Sequence, residues 1–354
     1  MSDSLDVITL RAPPPATGPG FVEAHVLPGR GMMLLQARLR RPSGEVIDAI
    51  VAPPLEAAAA EFGRPDDAFG NKAFMLGGAV LVPYANRIRG RAVEDAEEIE
   101  LEIGGRTVRL PRNWGGQAPG AERYAMHGLL LEAAVPFTQS SADQVTGRLD
   151  VGDFGGRWPG RMTLDLAWRL HDGALCLSVT ARNVGDEPLP IGIGFHPYLA
   201  LPSGDRRQVR LTLPARLRAE VNDYDEVLPT GRLLPVTGTA YDFTAGAPLG
   251  ELYLDDCFTD LVRTSGQVVV EVEDPAAELG YRIASASPQV KALQVFAPPD
   301  KPFVAIEPQF NLADPFGQVW PRDIDTGMAQ LQPGRALTYD CRLSAFAVGN
   351  RTHG

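Results

Sequence analysis

Glu307 has the sequence setting most typical of a catalytic carboxyl group. It follows the apolar run 303–306 and precedes Pro308-Gln309. Burial at the end of an apolar strand would raise its pKa toward the value of a useful general base. The alternative is a strand that simply ends at Glu307 and exposes the carboxylate, and the Pro-Gln that follows favours the functional interpretation.

Two histidines could move protons together with such a carboxylate. His196 follows the apolar strand end 189–191, and the proline after it holds its backbone extended. A histidine with a near-neutral pKa on a rigid strand end is a good general acid or base. A structural turn in which His196 caps a backbone carbonyl fits equally well. His127 precedes a glycine and is weak evidence alone, because most single histidines are core or surface groups.

Further polar groups have the chemistry of hydroxyl-binding side chains. Asn86 and Arg87 lie in the segment PYANRIRGR, where an amide beside a guanidinium offers hydrogen-bond donors to hydroxyl oxygens. Taken alone, the segment is more typical of a basic turn. Asp255 and Asp256 form an acidic pair predicted to lie in a turn, which could bind sugar hydroxyls or calcium. Because no third nearby carboxylate completes a calcium loop, a metal is not predicted there.

The elements that must position these groups are predicted to be strands. Gly and Pro number 37 and 31 and are spread along the chain, which is typical of many short strands and turns. Residues 98–110 alternate about Gly104-Gly105, and residues 162–184 alternate about a turn at 171–173, as in antiparallel hairpins with one buried face. Further strand-like runs are 209–213, 268–272, 293–297 and 303–306. Only 55–63 is predicted to be helical.

This pattern predicts an all-β fold, a single large antiparallel β-sandwich domain over residues 1–354. The formal charge of −11 argues against broad binding to nucleic acid or anionic lipid. No apolar run approaches the length of a membrane-spanning helix, and the N-terminus lacks a secretory signal, so a cytoplasmic location is expected. Three dispersed cysteines and five histidines without ligand spacing predict neither a disulfide framework nor a metal site.

Five of these motifs occur in an order that resembles the aldose 1-epimerase (galactose mutarotase) family. The matching stretches are Asn86-Arg87-Ile88 with Gly90-Arg91, His127-Gly128, Phe195-His196-Pro197-Tyr198, Leu254-Asp255 with Phe258, and Glu307-Pro308-Gln309. Each is weak alone, but five in order are strong evidence. The resemblance implies a β-supersandwich that interconverts the anomers of a monosaccharide without cofactor or metal.

The resemblance also implies a role for each matching residue. Glu307 would be the base that removes the anomeric hydroxyl proton, and His196 the acid that protonates the ring oxygen. His127 would bind near the ring oxygen and the anomeric centre. Arg87, Asn86 and Asp255 would bind sugar hydroxyls.

Several alternatives remain open from the sequence. Leu129 and Asp256 depart from the galactose-mutarotase pattern, so galactose is not predicted to be the preferred sugar. A hexose-6-phosphate 1-epimerase would need a cationic pocket, which Arg87, Arg89 and Arg91 could form if they share a strand face. A non-catalytic sugar-binding sandwich is another alternative, and a glycoside hydrolase using Glu307 with Asp255 is a weaker one. The sequence predicts no oligomeric state.

Overall fold

The computed structural model describes residues 6–62 and 64–349, and these residues are mostly in antiparallel strands. Short segments of 3-10 helix lie at Pro28–Arg30, Ala68–Phe74, Arg206–Gln208 and Pro275–Ala277. The α-helix predicted at 55–63 is observed as α1 (Leu55–Glu61). The strands of the first half are β1 (Ile8–Arg11), β2 (Gly20–Leu27), β3 (Met33–Arg40), β4 (Val46–Asp48), β5 (Gly78–Leu81), β6 (Arg87–Ile88), β7 (Arg91–Ala92), β8 (Glu98–Ile103), β9 (Arg106–Pro111), β10 (Trp114–Gly115), β11 (Arg123–Met126), β12 (Phe137–Ser141), β13 (Gln144–Gly152) and β14 (Met162–His171).

The second half of the chain continues the same pattern of short strands. They are β15 (Ala174–Asn183), β16 (Leu189–Ile191), β17 (Gly194–Ala200), β18 (Arg210–Thr212), β19 (Ala215–Val221), β20 (Pro229–Pro235), β21 (Ala247–Pro248), β22 (Leu254–Leu261), β23 (Val268–Asp274), β24 (Leu279–Ser285), β25 (Ala292–Ala297), β26 (Phe303–Gln309), β27 (Ala329–Leu331) and β28 (Ala336–Ala347). No helix of the described residues is long and apolar enough to cross a membrane.

Two large antiparallel sheets make up most of the fold. One has 11 strands in the order β1-β2-β3-β5-β17-β26-β25-β22-β19-β20, with β4 paired to β3. The other has nine strands in the order β12-β13-β14-β15-β28-β24-β23-β18-β21. Smaller sheets are formed by β10-β11-β6, by β7-β8-β9 and by β16-β27.

The two large sheets pack face to face through large side chains. The rings of Trp168 on β14 and Phe195 on β17 are 5.2 Å apart, and the Trp168 indole N–H donates to the Met32 carbonyl at 2.8 Å. The Tyr339 hydroxyl on β28 donates to the Pro308 carbonyl on β26, also at 2.8 Å. These contacts belong to one apolar cluster that includes residues of both sheets, as expected for a sandwich.

The hairpins predicted from alternation are confirmed. β8 and β9 join at Gly104-Gly105, where both residues have positive φ, at 59° and 77°. β14 and β15 pair along their full length. The turn between them is shorter than the predicted 171–173, because the β14–β15 register already pairs His171 with Ala174.

Three sequence placements of site residues need correction. His196 and Glu307 lie inside β17 and β26 rather than at strand ends, since each strand continues beyond them. Asp255 lies in strand β22, not in a turn. The reason is that neighbouring strands of a wide sheet supply hydrogen-bond partners on both sides, so a single polar residue does not end the strand. Whether residues 1–354 form a single domain stays a prediction, and residues 1–5, 63 and 350–354 lie outside the described part.

Candidate active site

Strand register brings the predicted acid and base together. Gly194 pairs with Gln309 and Tyr198 with Ala305, so the register between them sets His196 opposite Glu307. On the other side of β26, Glu307 pairs with Gln294 of β25. Directly opposed residues of antiparallel strands point to the same face, about 5 Å apart. The three side chains therefore form a row on the face of the 11-stranded sheet that is turned away from Trp168.

Glu307 and His196 form a buried, closely spaced pair. His196 Nε2 lies 3.2 Å from Glu307 Oε1, and the two side chains are 5% and 1% exposed. Burial raises the pKa of Glu307 well above its usual value, and nearby Asp255 raises it further while Arg87 opposes the change. Burial lowers the pKa of His196 to about 3. These shifts favour a neutral carboxyl group beside a neutral imidazole.

His127 is held by an unusual reciprocal contact with Asn86. The His127 backbone N–H donates to the Asn86 carbonyl at 3.0 Å, and the Asn86 backbone N–H donates to His127 Nδ1 at 3.3 Å. Both residues have positive φ, at 61° and 62°. Gly128 follows with φ 88°, where an added Cβ would lie 2.3 Å from the Val82 carbonyl oxygen, so only glycine fits.

This contact assigns the tautomer of His127. In a neutral imidazole one nitrogen accepts and the other carries the proton. Because Nδ1 accepts from Asn86, Nε2 carries the proton and can only donate. Burial, with His196 and Arg87 nearby, lowers the pKa of His127 well below its usual value, which keeps the ring neutral.

Four side chains form a closed ring of hydrogen bonds next to the pair. Arg87 Nη1 donates to Asn86 Oδ1 at 3.0 Å, and Arg87 Nη2 donates to Asp255 Oδ2, also at 3.0 Å. Gln294 Nε2 donates to Asp255 Oδ1 at 2.5 Å, and Asn86 Nδ2 donates to Gln294 Oε1 at 2.8 Å. Arg87 Nε also donates to the Tyr124 hydroxyl at 3.2 Å. This closed ring fixes the orientations of the Asn86 and Gln294 amides, and it holds the Arg87 guanidinium and the Asp255 carboxylate in fixed positions.

These groups line a cavity of about 350 Å³, within the usual range for small-molecule sites. The predicted residues Glu307, His196, His127, Arg87 and Asp255 all line it. Asn86 is fully buried behind Arg87 and is not among the lining residues. The remaining wall is largely apolar and aromatic, and its aromatic members are Phe74, Trp114, Tyr198, Tyr224, Tyr253, Phe296 and Phe303.

Other candidates from the sequence lie outside the cavity or were missed. Arg89 pairs with Glu122, and Arg91 pairs with Glu100. Neither arginine lines the cavity, so Arg87, Arg89 and Arg91 form no common cationic pocket. Sequence reasoning missed Gln294, although a polar amide inside the apolar run 293–297 was a signal that could have identified it.

Three side chains of the site are close enough together to form a set of metal ligands. His127, His196 and Glu307 each offer one ligand atom within 4.8 Å of the others. However, a ligating imidazole nitrogen must be deprotonated, and the Asn86 contact keeps the proton on His127 Nε2. The arrangement therefore fits hydrogen bonding to a polar organic molecule better than metal coordination.

Comparison with known proteins identifies a family for most of the chain. Residues 60–344 match the family model described as aldose 1-epimerase. Galactose mutarotases of Rattus norvegicus and Homo sapiens are 28% and 26% identical to the chain over 178 residues. That stretch is 49% of this chain and 47% of either relative, so the match spans about half the length of these curated relatives.

Solved structures of low sequence identity share the fold. A galactose mutarotase-like protein from Clostridium acetobutylicum superposes with a TM-score of 0.72 at 18% identity over 93% of both chains. An aldose epimerase homologue from C. elegans superposes with a TM-score of 0.71 at 18% identity, over 97% of this chain and 99% of that chain. The predicted galactose mutarotase-like β-sandwich is thereby confirmed.

Proposed function

Since the chain belongs to the aldose 1-epimerase family, we propose that it interconverts the α and β anomers of a free aldose. The observation that carries this proposal is the Glu307–His196 pair, 3.2 Å apart on the floor of the cavity. Opening a cyclic hemiacetal requires one proton to leave the anomeric hydroxyl and another to reach the ring oxygen. A neighbouring carboxylate and imidazolium supply both transfers.

In the proposed reaction Glu307 is the base and His196 is the acid. The anomeric hydroxyl proton moves to the Glu307 carboxylate, the bond from the anomeric carbon to the ring oxygen breaks, and the His196 proton moves to that oxygen. The resulting aldehyde rotates about its bond to the next carbon. The reverse transfers close the ring on the other face and return both protons.

The pKa directions support these roles. A raised pKa makes the Glu307 carboxylate a stronger base, and a lowered pKa makes the His196 imidazolium a stronger acid. The reactive ion pair and the neutral pair hold the same total number of protons, and they differ by the transfer of one proton from the Glu307 carboxyl group to the His196 imidazole. Arg87 lowers the pKa of Glu307, and so stabilises the carboxylate needed for the first transfer.

The ring of hydrogen bonds would hold the sugar through ring opening. Arg87 and Asp255 line the cavity and offer donors and acceptors to sugar hydroxyls. His127 would donate its Nε2 proton near the ring oxygen. Asn86 supports Arg87 and Gln294 from behind, so we propose that it orients the site instead of contacting the sugar.

The lining charges favour a free aldose over a phosphosugar. The cationic side chains that line the cavity are Arg87, which pairs with Asp255, and Lys301, whose amine lies 3.2 Å from the Asp300 carboxylate. A phosphate would have to compete with these carboxylates. A non-catalytic sugar-binding module is disfavoured because the acid, the base and the hydroxyl-binding groups are all present. A glycoside hydrolase would leave the two histidines without a role.

The proposal is tested by polarimetry of freshly dissolved α-D-glucose and α-D-galactose. We expect the wild type to accelerate the change in optical rotation and Glu307→Gln to lose about 10²- to 10⁴-fold in kcat. Glu271→Gln, a carboxylate on β23 that pairs with Arg282 in the other sheet, is the matched control and should keep wild-type activity.

Each outcome discriminates between functions. Acceleration that Glu307→Gln abolishes supports the mutarotase and its base. Repeating the assay with xylose, arabinose and phosphosugars identifies the substrate. If free aldoses are not turned over and phosphosugars are, the hexose-6-phosphate epimerase replaces the proposal. If no sugar is turned over but sugars bind, the binding module replaces it.

A further inference from the structure

The mouth of the cavity is bounded by two surface segments that face each other. We call residues 222–227 the rim loop and residues 114–118 the facing segment. The lining residues they contribute are Tyr224, Asp225 and Val227 from the rim loop and Trp114, Gly115 and Gln117 from the facing segment. Tyr224 is one of few large apolar side chains left exposed among the described residues, at 38%.

Asp225 ties the rim loop to the facing segment. Its Oδ1 accepts from the backbone N–H of Gln117 at 2.7 Å, and its Oδ2 accepts from that of Ala118 at 3.0 Å. The approach is so close that a Cβ on Gly116 would lie 2.4 Å from Asp225 Oδ2. A carboxylate on two consecutive amides is a charge-assisted contact that closes one side of the mouth.

Tyr224 ties the same loop to the sheet. Its hydroxyl donates to Asp256 Oδ2 at 3.0 Å and lies 3.0 Å from the Tyr241 hydroxyl. Asp256 is fully buried and pairs with Arg218, and its Oδ2 accepts from the Asp255 backbone N–H at 3.2 Å. The tyrosine ring is thus anchored on the residue that follows hydroxyl-binding Asp255.

Glu226 links the rim loop to Arg87 through Tyr124. Its carbonyl accepts from the Tyr124 hydroxyl at 2.7 Å, and that hydroxyl in turn accepts from Arg87 Nε at 3.2 Å. Its carboxylate accepts from the backbone N–H of Glu122 at 2.5 Å. Three consecutive residues of the rim loop are therefore bonded to three different parts of the structure around the Arg87–Asp255 side of the site.

We infer that the rim loop is the specificity-determining wall of the cavity, fixed in place by Tyr224, Asp225 and Glu226 before a sugar binds. The inference rests on the proposed function. The wall is linked to the hydroxyl-binding residues Arg87 and Asp255 through the Tyr124 hydroxyl and the Asp256 carboxylate. It therefore limits the size of substituents on the part of the sugar remote from the anomeric carbon, because a wall bonded at three points does not move aside.

The experiment compares Asp225→Ala with wild type on D-glucose and on maltose, which carries a second glucose on the ring. Steady-state polarimetry gives kcat and KM, and hydrogen–deuterium exchange follows the Gln117 and Ala118 amides. Glu220→Ala removes an equal charge from β19, where Glu220 bonds Thr230 and Arg232, and is the matched control. Asp225→Asn keeps one acceptor and serves as a milder variant if Asp225→Ala folds poorly.

We expect Asp225→Ala to raise KM for glucose by about three- to tenfold, an effect the size of one net hydrogen bond, with kcat within about twofold. The ratio of kcat/KM for maltose over glucose should rise by at least the same factor. The Gln117 and Ala118 amides should exchange faster in Asp225→Ala than in wild type. The KM and exchange rates of Asp225→Asn should lie between those of wild type and Asp225→Ala. Glu220→Ala should have wild-type KM and exchange rates.

Failure of the proposed function and failure of the specificity inference are distinguishable. A wild-type protein that turns over neither sugar would refute the proposed function, and the specificity inference with it. An active wild type whose Asp225→Ala variant shows faster amide exchange but an unchanged maltose-to-glucose ratio would refute the wall alone. Unchanged exchange in an active variant would show that Asp225 does not hold the two segments together, which also overturns the inference.

Discussion

The two large sheets differ in what covers their second face. In the nine-stranded sheet, β14 and β15 alternate between buried and more exposed residues, so one face packs on the core and the other meets solvent. In the 11-stranded sheet, the central strands β17, β25 and β26 are buried on both faces. Polar side chains on solvent-facing positions need no protein partner. Polar side chains on a second buried face do need one, and there they form the site.

The comparison shows that ion pairs of the two sheets differ in how far water screens them. Glu271 and Arg282 form an ion pair on the nine-stranded sheet, and Arg87 and Asp255 form one on the 11-stranded sheet. The side chains of the first pair are 27% and 46% exposed, while those of Arg87 and Asp255 are 4% and 14% exposed. Water screens the first pair and is largely excluded from the second. The predictions below test this difference.

The largest effect is expected from Arg87→Met. It leaves the Asp255 carboxylate without its cation and removes donors to Asn86 and Tyr124. Loss of one partner from a buried pair costs about 3–5 kcal/mol of unfolding free energy. The equivalent change in the other sheet, Arg282→Met, should cost less than about 0.5 kcal/mol. Urea denaturation measures both, and equal losses would contradict the comparison.

A pH-dependent difference is expected for Glu307→Gln. The pKa of Glu307 in the folded protein lies above its usual 4.5. The folded protein therefore keeps a proton that the unfolded chain releases, and wild-type stability from this group falls as pH rises from 4.5 toward the folded-state pKa. The slope is about 1.4 kcal/mol per pH unit within that window. Glutamine cannot ionise, so its stability advantage over wild type should grow with pH. Thermal unfolding from pH 4 to pH 8 that shows a constant difference would refute the buried neutral carboxyl.

A smaller effect is expected from Gln294→Leu. The substitution leaves Asn86 Nδ2 and Asp255 Oδ1 without the partner that closes the ring. An unsatisfied buried polar group costs about 1–3 kcal/mol. We expect a matching fall in stability and a rise of about tenfold in KM, because Asp255 is no longer oriented. Thr180→Val, which removes a cross-strand hydroxyl contact with Thr338 in the other sheet, is the control and should leave KM unchanged.

The smallest effect is expected from Arg91→Ala. Arg91 is 74% exposed and pairs with Glu100 away from the cavity. Exposed ion pairs contribute about 0–1 kcal/mol, so stability and aldose turnover should stay close to wild type. Polarimetry with glucose and with glucose 6-phosphate measures both activities. A selective loss of phosphosugar turnover in Arg91→Ala would contradict this prediction and show that Arg91 binds the phosphosugar.

Much of the fold could be predicted from the sequence because alternation is a local signal. The hairpins at 98–110 and 162–184 and the helix at 55–63 were all visible as periodic runs, and together with the spread of Gly and Pro they predicted an antiparallel sandwich. Five short motifs in order also selected Glu307, His196, His127, Arg87 and Asp255, which all line one cavity, while their chemical roles stay predictions. The sequence did not predict the strand boundaries correctly, because His196, Glu307 and Asp255 lie inside strands instead of at a strand end or in a turn.

What the sequence determined by itself is therefore the class of fold and the identity of the candidate acid, base and hydroxyl-binding groups. Tertiary structure alone decided how those groups combine. The order of strands in the 11-stranded sheet sets His196, Glu307 and Gln294 in one row, although they are distant in sequence. The hydrogen bond from the Asn86 backbone to His127 Nδ1 assigns the imidazole tautomer, and Asn86 is buried and does not line the cavity. The physical reason is that periodicity reports which side of a strand is apolar, whereas strand order, register and the covering of the second face arise from packing between distant segments.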